Sequence, residues 1–331
     1  MRHRSERLSR EQAPVDDIPP PGYTLRVTQP TPRSGVGVIA VSAIVTVCFW
    51  GTAFAAIRAG LHSYSPTHLA LLRFLVASAA LALYAAVTRM RLPSLRDMPV
   101  ILLLGFVGFS FYNVALNIGE RSIPSGPAAV LIQTSPIMSA VAAVLFLNER
   151  LRAWGWVGIA VSFAGAVVIG LGGGSDLSLG WGAGLVLLAA VSSAAYTIIS
   201  KRMLERYRPV ELTAYAIWAG ALLLLPFSGG LLREARAAAV GDTLAVVFLG
   251  VGPAALAYAT WSVVLKGMPA SRATSILFAV PVTAFLAGWV WLGESPALVD
   301  IAGGLLAIGG VALVNTLGRR KPKEQPARQK A

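Results

Sequence analysis

Long apolar runs alternate with short polar segments from residue 36 to residue 317. A helix that crosses a bilayer needs about 20 mostly apolar residues. The segments that meet this requirement are residues 36–57, 67–88, 99–118, 124–146, 153–171, 180–200, 210–229, 243–265, 271–292 and 297–317. The pattern therefore predicts an all-α membrane protein with ten transmembrane helices.

The composition supports a chain that is surrounded by lipid. Of the 331 residues, 56% are hydrophobic and 13% are charged, whereas a typical soluble domain has about 25% charged residues. Residues 1–34 contain six prolines and mixed charges, and residues 318–331 are basic. We expect the first segment to be a disordered tail and the second to be a basic tail. Cys48 is the single cysteine, so no disulfide forms within one chain.

The distribution of charge predicts the orientation. The net charge of +13 does not indicate a nucleic-acid partner, because the basic residues lie in the tails and in short loops. If the N-terminus is cytoplasmic, the inner loops carry 11 lysines and arginines, the outer loops four and the tails 12. Basic residues are retained in the cytoplasm. We therefore predict a multi-pass protein of the inner membrane with both termini, and both tails, in the cytoplasm.

The sequence contains an internal repeat. Residues 35–172 and 179–317 are predicted to be two five-helix repeats, and because five is odd they are inverted relative to each other. Alternating-access carriers often have this architecture. A shift of 145 residues aligns Pro124 with Pro269, Pro136 with Pro281, Glu149 with Glu294, Gly158 with Gly303 and Gly165 with Gly310; nearer each repeat's start, a shift of 143 aligns Pro66 with Pro209.

The repeated segment resembles a known transporter domain. It consists of an apolar helix with a central proline, the motif "LNERL" or "LGESP", and a glycine-bearing helix, and "FWG" occurs in the first helix. This combination resembles the EamA-type domain of the drug/metabolite transporter superfamily over residues 36–317. The resemblance implies a ten-helix carrier whose cavity is lined mainly by helices 1–4 and 6–9. Family members typically export amino acids, related metabolites or drugs.

Arg73 is the one basic residue well inside a predicted span. A guanidinium at that depth costs several kcal/mol unless it is paired or faces a wet cavity. One interpretation is that Arg73 binds a substrate carboxylate or stabilises an outer gate. The alternative is that its side chain snorkels to the headgroups, about 10 Å away, or bonds to backbone carbonyls.

Pro136 and Pro281 lie in the middle of the fourth and ninth predicted helices. Each removes one backbone hydrogen bond, which frees the carbonyls of Ile132 and Leu277 and bends the helix. Interrupted helices at matching places in two repeats are typical of the binding region of a carrier. A purely structural kink is the alternative, because prolines are common in membrane helices.

Polar and aromatic side chains lie at the depth of these prolines on several helices. Apolar walls with few polar groups suit small organic ligands, although each group alone is also consistent with a bond between helices. The predicted substrate-binding residues are Trp50, Arg73, Tyr112, Asn113, Gln133, Tyr196, Tyr258, Trp261 and Ser275.

Two further features are interpreted as structural. Glu149 and Glu294 follow matching helices near the membrane interface, where we expect a carboxylate to cap a helix end and anchor its depth. Small residues form a face on the fifth helix and again on the tenth, which predicts close helix packing. They are Gly158, Ser162 and Ala166 on the fifth helix and Gly303 and Ala307 on the tenth.

The expected function is alternating-access transport, with export as the direction. Amino acids, aromatic or amphipathic compounds and drugs are the candidate ligands, and the chain acts as a monomer or a homodimer. A carrier of nucleotide sugars or phosphate esters would need several cavity cations, whereas Arg73 is the single one at depth. The sequence contains no Asp-rich motif, His cluster or G-x-S-x-G motif, which argues against a lipid-modifying enzyme.

We expect no metal and no cofactor. No acidic residue or histidine is expected deep in a span, although proton-driven pumps commonly use one. The sequence therefore predicts a facilitator or an exchanger, or coupling through residues that it does not identify.

Overall fold

The computed structural model describes residues 35–122, 131–172, 181–284, 286 and 298–318. The N-terminal tail and residues 319–331 lie outside these ranges, as do Pro124 and Glu294. The described residues form helices joined by turns, and no strand occurs among them. This agrees with the all-α prediction.

The described part contains ten principal helical segments. They are α1 (Val36–Gly60), α2 (Pro66–Thr88), α3 (Leu95–Ser122), α4 (Thr134–Phe146), α5 (Ala153–Gly172), α6 (Trp181–Met203), α7 (Pro209–Phe227), α8 (Val240–Gly267), α9 (Ala270–Ser275, continued by a 3₁₀ turn, Ile276–Ala279) and α10 (Leu298–Thr316). A short helix, Leu231–Ala237, precedes α8. Within the described ranges, six helices are long and apolar enough to cross a membrane: α1, α2, α3, α6, α7 and α8.

Prolines at matching positions begin two of these helices. Pro66 opens α2 and Pro209 opens α7, where the missing N–H costs nothing because the N–H groups of a first turn have no helical partner. The Glu211 carboxylate also accepts the N–H of Arg208 at 3.0 Å, which fixes the start of α7. The repeat of prolines in the sequence therefore corresponds to a repeat of helix starts.

Two helices are interrupted by π-helical segments. These segments are Phe106–Ser110 in α3 and Gly250–Leu256 in α8, and they lie at matching positions of the two sequence repeats. A π turn changes the register of the backbone hydrogen bonds and is frequent at functional sites. The apolar pattern of the sequence gives no sign of either segment.

The small-residue faces of α5 and α10 pack against each other, as the sequence predicted. The hydroxyl of Ser162 donates a hydrogen bond to the carbonyl of Ala307 at 3.0 Å. A Cβ atom on Gly165 would lie 2.6 Å from the carbonyl oxygen of Gly303 and closer still to the nitrogen of Ala307. The backbones approach so closely that only glycine fits at this crossing.

We predict that Gly165→Ala destabilises the protein, because the added methyl group meets backbone atoms that belong to a rigid helix. Overpacking of this kind costs about 1–3 kcal/mol. The melting temperature of the purified protein should fall measurably. Gly309→Ala is the matched control, because nothing lies within 4 Å of a Cβ at that position of α10. An equal melting temperature for both variants would contradict the close crossing.

Candidate functional site

A cavity lies between α1, α2, α3, α4, α6, α8 and α9. Its empty volume is about 810 Å³ including the open space at its mouth. The wall is mainly apolar, with contributions from Phe54, Leu116 and Val280. Seven of the nine predicted binding residues line it, together with Pro136: Trp50, Arg73, Tyr112, Gln133, Tyr196, Tyr258 and Trp261.

Aromatic rings form one wall of the cavity. The ring of Tyr258 lies at its centre, with centroid distances of 5.0 Å to Trp50, 4.6 Å to Phe109 and 5.7 Å to Tyr196. Trp261 completes this cluster at 5.7 Å from Trp50. Such pairs stabilise the wall beyond their burial and present a flat apolar surface to a ligand.

The π-helical segments supply carbonyl groups to this cluster. The indole of Trp50 donates to the carbonyl of Pro253 at 3.1 Å, and the hydroxyl of Tyr258 donates to that of Gly108 at 3.4 Å. A Cβ on Gly108 would collide with the ring of Tyr196. Glycine at this position therefore allows the aromatic ring to pack directly on the backbone.

The interrupted helix α9 meets the interrupted helix α4 at the cavity. Pro281 has no N–H to donate to the carbonyl of Leu277. This carbonyl accepts the N–H of Val280 in the 3₁₀ turn and the side-chain amide of Gln133 at 2.9 Å. Gln133 itself lies at a break in the helix, just before α4 begins at Thr134. The carbonyl that the sequence predicted to be free therefore has a backbone hydrogen bond within its own 3₁₀ turn, and Gln133 adds a second one.

Arg73 provides the charge of the cavity. Its side chain is buried, with 4% of the residue exposed, and Nη1 donates to the Asn113 side-chain oxygen at 2.9 Å. Its Nε is buried and has no hydrogen-bond partner in the described part of the chain. The guanidinium therefore faces the interior of the bundle, not the lipid headgroups, and retains a donor for a ligand.

Two predicted binding residues lie away from the cavity wall. Asn113 is fully buried and orients Arg73, while its own amide donates to the carbonyl of Phe109 at 2.9 Å. Ser275 donates to the carbonyl of Arg272 at 2.8 Å and accepts from Asn315 at 3.3 Å. Ser275 therefore lies at the contact between α9 and α10.

Glu149 caps a helix of the other repeat. Its carboxylate accepts the N–H groups of Ala270 and Ser271 at 2.6 and 2.9 Å and the Ser271 hydroxyl at 2.6 Å. Nearby, the Lys201 ammonium donates to the carbonyl of Met268 at 2.6 Å. We call this end of the bundle, where α4 and α6 end and α9 begins, the Glu149 end; these bonds hold the two repeats together there.

The opposite end of the bundle, which we call the Glu234 end, is held by the short helix Leu231–Ala237. Glu234 accepts the N–H of Ser65 at 3.0 Å, and His68 Nδ1 lies 2.8 Å from the same carboxylate oxygen. Burial alone would raise the pKa of Glu234, but the hydrogen bonds from Ser65 and His68 outweigh it and lower this pKa. The docking of the short helix is therefore stable at neutral pH and weakens as acid protonates the carboxylate.

One acidic residue was missed by the sequence analysis. Glu120 lies in the last turn of α3, which continues to Ser122 beyond the predicted end at residue 118, so the helix includes a carboxylate that the predicted span left out. One carboxylate oxygen, Oε1, is buried without a hydrogen-bond partner among the described residues. The spacing of Tyr112, Leu116 and Glu120 by four residues is the signal for this placement, because residues at i and i+4 share a helix face.

We predict that Glu149→Gln loosens the start of α9. The amide retains one oxygen acceptor but loses the charge and turns an NH₂ group toward backbone donors. Loss of a charge-assisted bond costs about 1.5–3 kcal/mol, so hydrogen exchange at Ala270 and Ser271 should become roughly tenfold faster. Glu205→Gln is the control, because Glu205 is exposed in the turn that follows α6. Unchanged exchange in Glu149→Gln would show that the cap is not maintained in the membrane.

Comparison with known proteins gives concordant matches. The sequence profile of the EamA-like transporter family matches residues 37–171 and 180–316. YdfC, an uncharacterized transporter of Bacillus subtilis, is 39% identical over 273 residues, which cover 82% of this chain and 89% of the relative. A probable terminal-alkyne amino-acid exporter of Streptantibioticus cattleyicolor is 39% identical over 291 residues, which cover 86% and 97%. A solved crystal structure with 22% identity has a TM-score of 0.71 over 85% of this chain and 98% of its own, which shows a shared fold.

Proposed function

Because the chain belongs to the EamA-like transporter family, we propose that it exports small organic metabolites, among them amino acids and aromatic or amphipathic compounds, by alternating access. It is a multi-pass membrane transporter, and the proposal concerns its ligand, direction and mechanism. The observation that carries it is the cavity, because helices interrupted at matching positions in both repeats meet there around the buried Arg73. Such a meeting point is typical of the binding region of a carrier.

The proposed topology has ten spans, with both termini and both tails in the cytoplasm. Residues 35–172 and 179–317 form the two inverted repeats, and the Glu149 end is cytoplasmic. Support comes from the basic loops and from the paired structural features: the helix-opening prolines, the π-helical segments, the mid-helix prolines and the α5–α10 contact.

The chemistry of the cavity favours a carboxylate with an apolar or aromatic side chain. Among the described residues, Arg73 is the one charged residue that lines the cavity, whereas a nucleotide sugar or phosphate ester calls for several cations. The aromatic wall around Tyr258 offers rings to an apolar side chain. The name of the Streptantibioticus relative, a probable amino-acid exporter, supports the same class of ligand.

We predict that Arg73→Ala reduces the flux of amino acids from sealed vesicles about 10- to 100-fold, which corresponds to the loss of a charge-assisted hydrogen bond. Trp50→Ala should reduce the flux of aromatic substrates more than that of small aliphatic ones. Arg121→Ala is the control, because this arginine is exposed at the end of α3. If both cavity variants fold and transport normally, the assigned site is wrong.

The topology is tested by labelling cysteines in a Cys48→Ser background. A membrane-impermeant maleimide is applied to whole cells. Arg233→Cys should react, because Arg233 lies in the short helix Leu231–Ala237 between α7 and α8, which is proposed to be external. Glu205→Cys should react only after the cells are broken. Both residues are exposed, so accessibility on the protein is matched. The reverse pattern would invert the proposed orientation.

A further inference from the structure

Glu120 is a buried acidic group that the site as described so far does not use. It lies in the last turn of α3, one turn beyond Leu116 and two turns beyond Tyr112, both of which line the cavity. The side-chain oxygen Oε1 is buried and has no hydrogen-bond partner in the described ranges. An isolated carboxylate in such a place is costly, and intramembrane acidic residues are commonly functional.

The buried carboxylate is complementary to Arg73. Attractive charge interactions join Glu120 to both Arg58 and Arg73, but no direct ion pair forms between Arg73 and Glu120 within the described residues of α2 and α3. Arg73 Nε is an unpaired buried donor and Glu120 Oε1 an unpaired buried acceptor. Arg73 lies on the cavity wall, and Glu120 follows Tyr112 and Leu116 of that wall on the same face of α3. An unpaired donor and an unpaired acceptor placed in this way match a ligand that carries both a carboxylate and an ammonium group.

Few titratable groups surround Glu120 in the described part of the chain. Arg58 faces it from α1, Arg73 from α2 and Tyr112 from its own helix. On α6, Gly182 and Val186 pack against the last turns of α3 at Gly119, and neither of them titrates. A change in the charge of Glu120 therefore alters mainly its electrostatic interactions with the two arginines and with a bound ligand.

We infer that Arg73 and Glu120 together form a site for zwitterionic α-amino acids, in which Arg73 binds the carboxylate and Glu120 binds the ammonium group in competition with a proton. This inference rests on the proposed function and names its ligand class and its coupling. Glu120 is thereby a substrate-binding residue that the sequence analysis did not include.

The competition produces an exchange of one proton for one amino acid. When the cavity is open to the outside, a proton from the external water adds to the Glu120 carboxylate as the ammonium group leaves it. When the cavity is open to the cytoplasm, the proton passes to water and the ammonium group of a new substrate takes its place. The zwitterion has no net charge, so each cycle moves one positive charge inward.

The test uses the fluorescence of the intrinsic tryptophans of the full-length protein in lipid nanodiscs. The ligands are L-phenylalanine and N-acetyl-L-phenylalanine, which share the carboxylate and the ring but differ in the ammonium group. The wild type should bind phenylalanine at least about tenfold more tightly than the acetylated compound. This is the ratio of dissociation constants expected for one charge-assisted bond. Lowering the pH from about 8 to about 5 should weaken only phenylalanine binding, because the proton competes for a glutamate carboxylate.

Glu120→Gln should abolish both the preference for phenylalanine and the pH dependence of its binding. Glu120→Asp should retain both in reduced form. Glu205→Gln, the control, should behave as the wild type. If Glu120→Gln keeps the wild-type preference and pH dependence while Arg73→Ala loses binding, the inference is overturned and the proposed function stands. If the wild type binds neither compound and transports no amino acid, both are overturned.

Discussion

The structure depends on one constraint: inside a bilayer, every backbone carbonyl that a helix gives up must receive a hydrogen bond from the protein or from cavity water. The chain interrupts α3, α8 and α9 and then repairs the interruptions with side chains. Trp50 bonds to the carbonyl of Pro253, Tyr258 to that of Gly108 and Gln133 to that of Leu277. The cavity exists because these breaks converge, and the aromatic and amide side chains that repair them form its wall.

Each of these repairs crosses between the two halves that the sequence repeat defines. Trp50 and Gln133 belong to the first half and bond to the second, while Tyr258 belongs to the second and bonds to the first. The carboxylate of Glu149, in the first half, likewise accepts the N–H of Ala270, in the second half. Hydrogen bonds between the two halves therefore lie both at the cavity and at the Glu149 end.

The sequence predicted well wherever a residue type dictates the backbone. The predicted spans that begin at residues 67 and 210 agree with the helix starts at Pro66 and Pro209, and the close packing of α5 and α10 agrees with their small residues. The sequence did not predict the direction in which a side chain points from its helix. A membrane helix is apolar on its lipid face and on its core face, so periodicity does not tell which way Ser275 points, and the end of α3 was placed too early to include Glu120.

The central claim is that the interrupted helices enclose a water-accessible path, and thiol chemistry tests it most directly. In a Cys48→Ser background, Ser193→Cys lies on the cavity wall, whereas Val191→Cys, two residues earlier on α6, faces outward with 51% of the native residue exposed. In proteoliposomes, a water-soluble thiol reagent should modify the first cysteine rapidly and the second one hardly at all, because only the first meets water. Equal modification of both, or modification of the outward cysteine alone, would contradict the account.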